Sequence, residues 1–358
     1  MQKLLLHNWH EMHNAKFITL RGHYIPAHYG DVADEVHSAL NSVVLTDRSY
    51  LGKLLLRGKD AFELLNLIST NDMNKLLGSM VCDTLFITPR GSLIDYCRIL
   101  NLDSDFLLIS SYTGSTHLQE WINRFITIED VDVLDVSASF AWLTVLGPSS
   151  AEFIYLLSSG EVNSADETIW MTFEEEELPA LKNDNLMVPA YNICVPFEIA
   201  ERFIEWLTNK IVLAGGSLLG NDAFQIIRVE SGAPDCDNEL TEEFNAHEAR
   251  LLNAVSFTKG SFTGQEVLAW LDTHDRVQRY LMIVDIHAGM SAEPPLNIFY
   301  NNENIGKLTS YAFDPLNERY VGLAYVMKSY AVDDFDLLVE LQDGSRRMPA
   351  SLRLPPKR

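Results

Sequence analysis

The segment Lys53-Leu-Leu-Leu-Arg57-Gly58-Lys59-Asp60-Ala-Phe-Glu-Leu-Leu-Asn-Leu-Ile68 joins two hydrophobic patterns. Its first five residues form a short run with three leucines, which predicts a β-strand that Gly58 ends. From Asp60 to Ile68 the apolar residues recur at helical spacing, which predicts a helix. The segment therefore predicts a strand followed directly by a helix.

A second strand–helix pair follows further along the chain. Residues 141–146 predict a strand, Gly147-Pro148 a turn and helix start, and residues 151–157 a helix. A later strand at 105–110, with its helix around Trp121, is matched by a strand beginning at Leu186, with its helix around Trp206. Two interpretations stay open: an internal duplication of an α+β unit, or chance similarity of ordinary segments.

The C-terminal part of the chain has no helical periodicity. It predicts strands at 279–285, 320–326 and 336–341, a hairpin over 297–310, and a tight turn at Asp343-Gly344 before the last strand. These features are typical of a small antiparallel barrel or sandwich. We therefore predict a body over residues 1–278 and a C-terminal β domain over residues 279–358.

The formal net charge of −23 limits the classes of partner. So negative a surface repels phosphate backbones and anionic lipids, which argues against nucleic acid and membrane surfaces as partners. An anionic ligand would need a local basic pocket.

The four cysteines are far apart and the ten histidines give no metal-binding pattern, so no metal site is expected. His7, His10 and His13 read as a solvated or frayed turn. No signal peptide or membrane span is evident, so we expect a cytoplasmic protein.

The segment Lys259-Gly-Ser-Phe-Thr-Gly-Gln-Glu266 gives the sharpest functional signal. It is similar to the Lys-Gly-Cys-aromatic-x-Gly-Gln-Glu motif of YgfZ-type proteins and has Ser261 in place of the cysteine. Other segments resemble markers of the wider aminomethyltransferase (glycine-cleavage T-protein) superfamily, in the same order: residues 28–49, 58–72, 91–95, 228–232, 305–310 and 322–326. The chain thus resembles that superfamily over nearly its whole length, and its YgfZ-type folate-binding branch in particular.

This resemblance implies an α+β fold in which duplicated ferredoxin-like α/β units form a folate-binding body, followed by a C-terminal antiparallel β-barrel. It also implies tetrahydrofolate as the cofactor. Asp95 stands at the place of the family's folate-contacting aspartate, on an alternating strand where it would share a face with Leu93 and Cys97. A carboxylate on an apolar face needs a partner, and a pterin ring offers two donors. The alternative is that Asp95 caps a turn.

Three further residues are candidates for folate binding. Arg228 matches the arginine of a family segment and could meet a folate carboxylate or form a structural ion pair. Tyr191 matches a family tyrosine, although the glutamate that follows it in the family pattern is missing here. Lys259 is a local positive charge that the anionic folate tail would seek. Gly260 and Gly264 beside it would allow close backbone approach.

Ser261 is the candidate catalytic residue beside Asp95. A serine hydroxyl is a weak nucleophile unless a base activates it, whereas the family cysteine could act as a thiolate.

Three hypotheses about the function follow. The first is a YgfZ-type folate-binding protein of one-carbon metabolism or iron–sulfur cluster maintenance. The second is a tetrahydrofolate-dependent aminomethyltransferase or demethylase, and the third is a scaffold that has lost folate binding. The implied partners are iron–sulfur proteins or a lipoylated carrier, and a monomer is expected.

Overall fold

The computed structural model describes residues 1–77, 80–158, 167–287, 289–341 and 346–356. The helices of this part of the chain are α1 (His7–Met12), α2 (Val32–Asn41), α3 (Ala61–Ile68), α4 (Thr116–Asn123), α5 (Ser150–Leu157), α6 (Phe197–Leu213), α7 (Asn221–Glu230) and α8 (Gln265–Thr273). Short 3-10 helices lie at Met73–Leu77, Leu252–Ala254 and Lys328–Tyr330.

The strands of the body are β1 (Gln2–Lys3), β2 (Lys16–Leu20), β3 (His23–His28), β4 (Val44–Asp47), β5 (Leu51–Arg57), β6 (Val81–Ile87), β7 (Leu93–Leu102), β8 (Asp105–Thr113), β9 (Asp132–Asp135), β10 (Phe140–Leu146), β11 (Thr168–Phe173), β12 (Glu176–Lys182), β13 (Ala190–Pro196) and β14 (Ser217–Leu218). Six strands follow in the C-terminal part: β15 (Arg279–Ile286), β16 (Leu296–Tyr300), β17 (Glu303–Asp314), β18 (Arg319–Met327), β19 (Asp336–Glu340) and β20 (Arg347–Arg353).

The body contains the same unit twice. The first unit runs β5-α3-β6-β7-β8-α4-β9 and forms a sheet of order β6-β7-β8-β5-β9. The second runs β10-α5-β11-β12-β13-α6-β14 and forms a sheet of order β11-β12-β13-β10-β4-β14, with β4 inserted. Each is a ferredoxin-like unit with one additional strand. The duplicated α+β fold predicted from the sequence is confirmed.

Equivalent glycines follow the first strand of both units. Gly58 and Gly147 have φ of +122° and +120°, a conformation that other residues rarely adopt. A Cβ atom on Gly58 would collide with the carbonyl oxygen of Asp130, and one on Gly147 with that of Ser42. Both turns therefore need glycine for the same two reasons, which supports a common origin of the units.

The C-terminal strands close into an antiparallel barrel of order β15-β18-β17-β16-β19-β20, as predicted. The barrel shares a hydrophobic cluster with the body, in which Leu281 and Leu323 pack with Val229 and Leu240. The division at residues 278 and 279 stays a prediction. The predicted Asp343-Gly344 turn lies outside the described residues.

Two local predictions were wrong. The strand expected from Leu186 begins at Ala190, because residues 184–188 form turns and bends before Pro189. The N-terminal histidines do not form a frayed turn, because His7 and His10 on α1 are buried. His10 Nε2 lies 2.7 Å from Asp47 Oδ2, and its Nδ1 lies 2.8 Å from the hydroxyl of Tyr29. This buried network ties α1 to the end of β4.

Candidate functional site

A cavity of about 110 Å³ lies where the two duplicated sheets meet α7 and the segment that follows it. We call it the central cavity. Aromatic, amide, hydroxyl and charged side chains line it, among them Arg48, Tyr96, Arg98, Ser110, Ser111, Trp142, Asn192, Phe224, Arg228 and Asp235. A flat ligand with several hydrogen-bonding groups suits such a lining, because the rings offer contact area and the polar groups fix its orientation.

Asp95 is fully buried behind two of the serines that line the central cavity. Its Oδ2 accepts a hydrogen bond of 2.5 Å from Ser110 Oγ, and its Oδ1 accepts 2.5 Å and 3.1 Å bonds from Ser111 Oγ and N. Burial raises the pKa of Asp95, and the bonds from the serines oppose that shift. With both hydroxyl protons donated to Asp95, the serine oxygens can accept hydrogen bonds from a ligand.

The face of β7 that lines the central cavity carries Tyr96 and Arg98, not Asp95. Asp95 shares the opposite face with Cys97, as the alternation of the strand predicts, and the Cys97 side chain is hydrogen-bonded to it. Arg98 is held by a bidentate pair with Asp83, both bonds 2.7 Å long. Asp95 therefore reaches the central cavity only through the serines.

Arg228 lines the central cavity, but its guanidinium is engaged elsewhere. It donates to the carbonyl oxygen of Ala233 at 2.8 Å and to Gln225 Oε1 at 2.7 Å, and it pairs with the buried carboxylate of Glu239 at 3.3 Å. Of the two sequence interpretations, these contacts favour the structural ion pair.

Tyr191 does not line the central cavity. Its ring lies in the hydrophobic core of the second unit, beside Tyr155. Burial raises the pKa of Tyr191, and a hydrogen bond with Tyr155 adds to the shift. The next residue, Asn192, points the other way into the cavity, where its Oδ1 accepts a 2.8 Å bond from Thr144. The amide nitrogen of Asn192 is left to face a ligand.

Lys259 also lies outside the lining of the central cavity. Its ammonium donates to three backbone carbonyl oxygens, of Asn66 at 2.6 Å and of Ser69 and Asn71 at 2.7 Å each. These carbonyls follow one another at the C-terminal end of α3 and just beyond it, so Lys259 fastens its own loop to that helix end. Gly264 is enclosed against Ile87 and Thr88, as close approach requires, whereas Gly260 faces open space.

Ser261 is exposed on the loop before α8 and does not line the central cavity. His274, the nearest histidine along the chain, is exposed after the far end of α8, where its Nδ1 lies 3.1 Å from the carbonyl oxygen of Trp270. The described contacts therefore place no activating base at Ser261.

A Ser261→Cys variant should carry one fast-reacting thiol. All four native cysteines are buried, and burial raises the pKa of Cys82 and of Cys194 to about 12. We expect Ellman's reagent to modify the native parent only slowly and the variant at one thiol per chain in a fast phase. If the native variant shows no fast phase, residue 261 is not exposed.

Arg48 is the residue of the site that the sequence interpretation missed. It follows β4, whose neighbour is β10, and its guanidinium carbon lies 4.7 Å from the centre of the Phe224 ring. Its Nε is buried, and none of the described residues donates to, accepts from or pairs with its side chain. In the sequence, Arg48 belongs to the family marker over residues 28–49, and no periodicity distinguishes this arginine.

Comparison with known proteins agrees with this architecture. The profile of the GCVT N-terminal domain matches residues 6–259. A glycine cleavage system aminomethyltransferase T from Bartonella henselae superposes with a TM-score of 0.81 at 20% identity, covering 98% of this chain and 96% of that one. That likeness shows the fold.

Curated relatives match over most of the chain. An aminomethyltransferase of Chlorobaculum tepidum is 25% identical over 363 aligned positions, which cover 99% of this chain and 98% of the relative. A putative chloroplastic transferase of Arabidopsis thaliana is 28% identical over 304 positions, covering 84% of this chain and 69% of that protein. In the part of the chain that the structure describes, no helix is long and apolar enough to span a membrane. Because the family profile covers more than two thirds of the sequence, the chain belongs to the GCVT N-terminal domain family, that of the aminomethyltransferases.

Proposed function

We propose that this protein binds tetrahydrofolate in the central cavity. Aminomethyltransferases of the family bind tetrahydrofolate, and the observation that carries the proposal here is the lining of the cavity. Trp142, Tyr96 and Phe224 offer ring surfaces, and the two serines backed by Asp95 offer acceptors for the N–H groups of a pterin.

The structure changes which residues we assign to this role. Ser110, Ser111, Asn192, Tyr96 and Trp142 would contact the ring, with Asp95 polarising the serines from behind. Arg228 would form a wall of the cavity rather than a ligand for the folate carboxylate. We leave Tyr191 and Lys259 out of the proposed site because their polar atoms are engaged away from it.

Changing Asp95→Asn should weaken tetrahydrofolate binding roughly tenfold, about the free energy of one hydrogen bond between neutral groups. An asparagine amide would donate to one of the serine oxygens, so that hydroxyl could no longer accept from the pterin. Anaerobic calorimetric titration of parent and variant with tetrahydrofolate measures the change. We expect micromolar or tighter binding by the parent.

The matched control is Asp103→Asn in the exposed turn between β7 and β8, which should bind tetrahydrofolate like the parent. If the Asp95 variant also binds like the parent, the pterin does not lie against the serines. If the parent does not bind tetrahydrofolate at all, the protein is a scaffold of this fold without the ligand.

We further propose a YgfZ-type accessory role, in one-carbon metabolism or iron–sulfur cluster maintenance, for the folate-bound protein. The Lys259–Glu266 motif supports it, and so does the missing glutamate after Tyr191, which weakens a transferase role. Its partners would be iron–sulfur proteins in the cytoplasm. The protein would act as a monomer with a body at 1–278 and a barrel at 279–358.

A second candidate is aminomethyl transfer, because relatives that span 99% of the chain are named aminomethyltransferases. Its partner would be a lipoylated carrier. Incubating the protein with tetrahydrofolate and an aminomethylated lipoyl carrier distinguishes the two functions: formation of methylenetetrahydrofolate supports the transferase. Restored iron–sulfur enzyme activity in a bacterium lacking its YgfZ-type protein supports the accessory role. A larger rescue by Ser261→Cys would show that only the thiol had been lost.

A further inference from the structure

The arginines around the central cavity differ in their ion pairing. Among the described residues, Arg98 pairs with Asp83 at 2.7 Å, Arg228 with Glu239 at 3.3 Å and Arg21 with Asp235 at 3.1 Å. Arg48 is the one arginine of this group for which the described residues supply no carboxylate within 4.0 Å. Its guanidinium is therefore not paired with a carboxylate, unlike those of the other three arginines.

The surroundings of Arg48 hold its guanidinium in place without neutralising it. One side stacks over Phe224, on the same face of α7 as Arg228 one turn later. Its buried Nε has no hydrogen-bond partner among the described residues. An unpartnered buried donor of this kind costs free energy, unless a ligand supplies the acceptor.

The positive charge of Arg48 affects the pKa of Asp235, a carboxyl group that lines the central cavity. Burial works against the ionised form of Asp235, but the charges of Arg228, Arg21 and Arg48 outweigh it and lower the pKa of that carboxyl. Asp235 nevertheless forms its own contacts with Arg21 and with the backbone nitrogen of Cys236, at 3.1 Å and 3.0 Å. It is held by other partners and does not close on Arg48.

We propose that Arg48 binds a carboxylate of the ligand in the central cavity. A guanidinium presents two parallel N–H groups that match a carboxylate, and stacking on an aromatic ring leaves those groups free to point at it. The neutral pterin ring has no such group. The carboxylate belongs either to the glutamate tail of tetrahydrofolate or to a small amino-acid co-substrate bound beside the ring. The inference rests on the proposed folate binding and names the residue that selects the anionic part.

Titrations with three probes test the inference and separate the two sources. Tetrahydrofolate carries the tail, 6-methyltetrahydropterin lacks it, and sarcosine added to the 6-methyltetrahydropterin complex supplies a separate carboxylate. We expect Arg48→Gln to lower the affinity for one of the two carboxylate-bearing probes roughly 10- to 100-fold. The affinity for 6-methyltetrahydropterin should stay unchanged. Loss on tetrahydrofolate identifies the tail, and loss on sarcosine identifies a co-substrate.

Two further variants serve as controls, one for the geometry of the guanidinium and one for the loss of an arginine elsewhere. Arg48→Lys keeps the charge without the forked geometry and should lose less affinity than Arg48→Gln. Arg202→Gln removes an exposed arginine that pairs with Glu174 on the second unit, and it should bind all three probes like the parent.

The inference fails if Arg48→Gln binds tetrahydrofolate and sarcosine as well as the parent does. It also fails if the variant loses as much affinity for 6-methyltetrahydropterin as for tetrahydrofolate. Arg48 would then contact the pterin ring or stabilise the fold. A parent that binds neither pterin overturns the proposed function together with this inference. If the parent binds both pterins and the Arg48→Gln variant gives either of the first two results, the inference alone is overturned.

Discussion

Replacing Glu239 by glutamine should cost about 3–5 kcal/mol of unfolding free energy, the range for breaking one partner out of a buried ion pair. Glu239 is fully buried and accepts four hydrogen bonds with its carboxylate: from Arg228 and the backbone nitrogen of Asp235 on one oxygen, and from Thr309 and Ser310 on the other. An amide cannot accept on both sides. The neutral amide would turn its nitrogen either toward the Thr309 and Ser310 hydroxyls or toward Arg228, and in both orientations the buried guanidinium loses its carboxylate partner. Urea unfolding followed by circular dichroism measures the loss.

The change should also loosen the contact between body and barrel. Thr309 and Ser310 belong to β17, whereas Arg228 belongs to α7, so the Glu239 carboxylate joins the two parts of the chain. Glu243→Gln is the matched control. Its half-exposed carboxylate also reaches the barrel through Lys307 at 2.7 Å, and a solvent-exposed pair of this kind contributes up to about 1 kcal/mol.

The opposite result would show that Arg228 does not need Glu239 as its buried partner. The free energy of unfolding of the Glu239 variant would then lie within about 1 kcal/mol of the parent's, a loss no larger than that of the surface control. The guanidinium would then be available to a ligand, as the family resemblance first implied.

Much of the fold is predictable because its elements are local. The period of the hydrophobic pattern changes from helix to strand within residues 53–68, and this change recurs from 141 to 157. The β11–β12 hairpin went unnoticed, although Trp170 and Thr172 are exposed between buried Ile169, Met171 and Phe173 in clear alternation. The burial of His10 on α1 could not be predicted, because its partner Asp47 lies 37 residues away along the chain.

The site is less predictable because sequence order does not say which face of a strand meets a ligand. Tyr191 and Asn192 are neighbours, yet only Asn192 enters the central cavity. Asp95 and Tyr96 differ in the same way. Arg228 resembles a ligand residue in the sequence, but its partner Glu239 reaches it only after the turn that follows α7. Charge type can be read from the chain, whereas pairing depends on the tertiary fold.

Lys259→Met should lower the unfolding free energy by about 2–4 kcal/mol and leave tetrahydrofolate affinity unchanged. Burial lowers the pKa of Lys259 to about 8, so the side chain is still largely protonated at pH 7 and can bind its three carbonyl oxygens. Methionine keeps the apolar stem but removes the donors and the charged group that lies 5.0 Å from the centre of the Phe262 ring. The three carbonyls would lose a charged partner at the end of α3. Urea unfolding and tetrahydrofolate titration of the same sample measure both effects.

The pair of measurements separates a structural lysine from a ligand lysine. Lys59→Met is the control, because Lys59 is exposed and only loosely paired with Asp130 at 3.6 Å, so both its stability and its affinity should match the parent. If Lys259→Met instead stays as stable as the parent and loses tetrahydrofolate affinity, the ammonium serves the folate tail. The ammonium would then contact the three carbonyl oxygens only when no folate is bound. If Lys259 is mainly structural, the Lys259–Glu266 motif holds the end of α3 and the loop before α8 together.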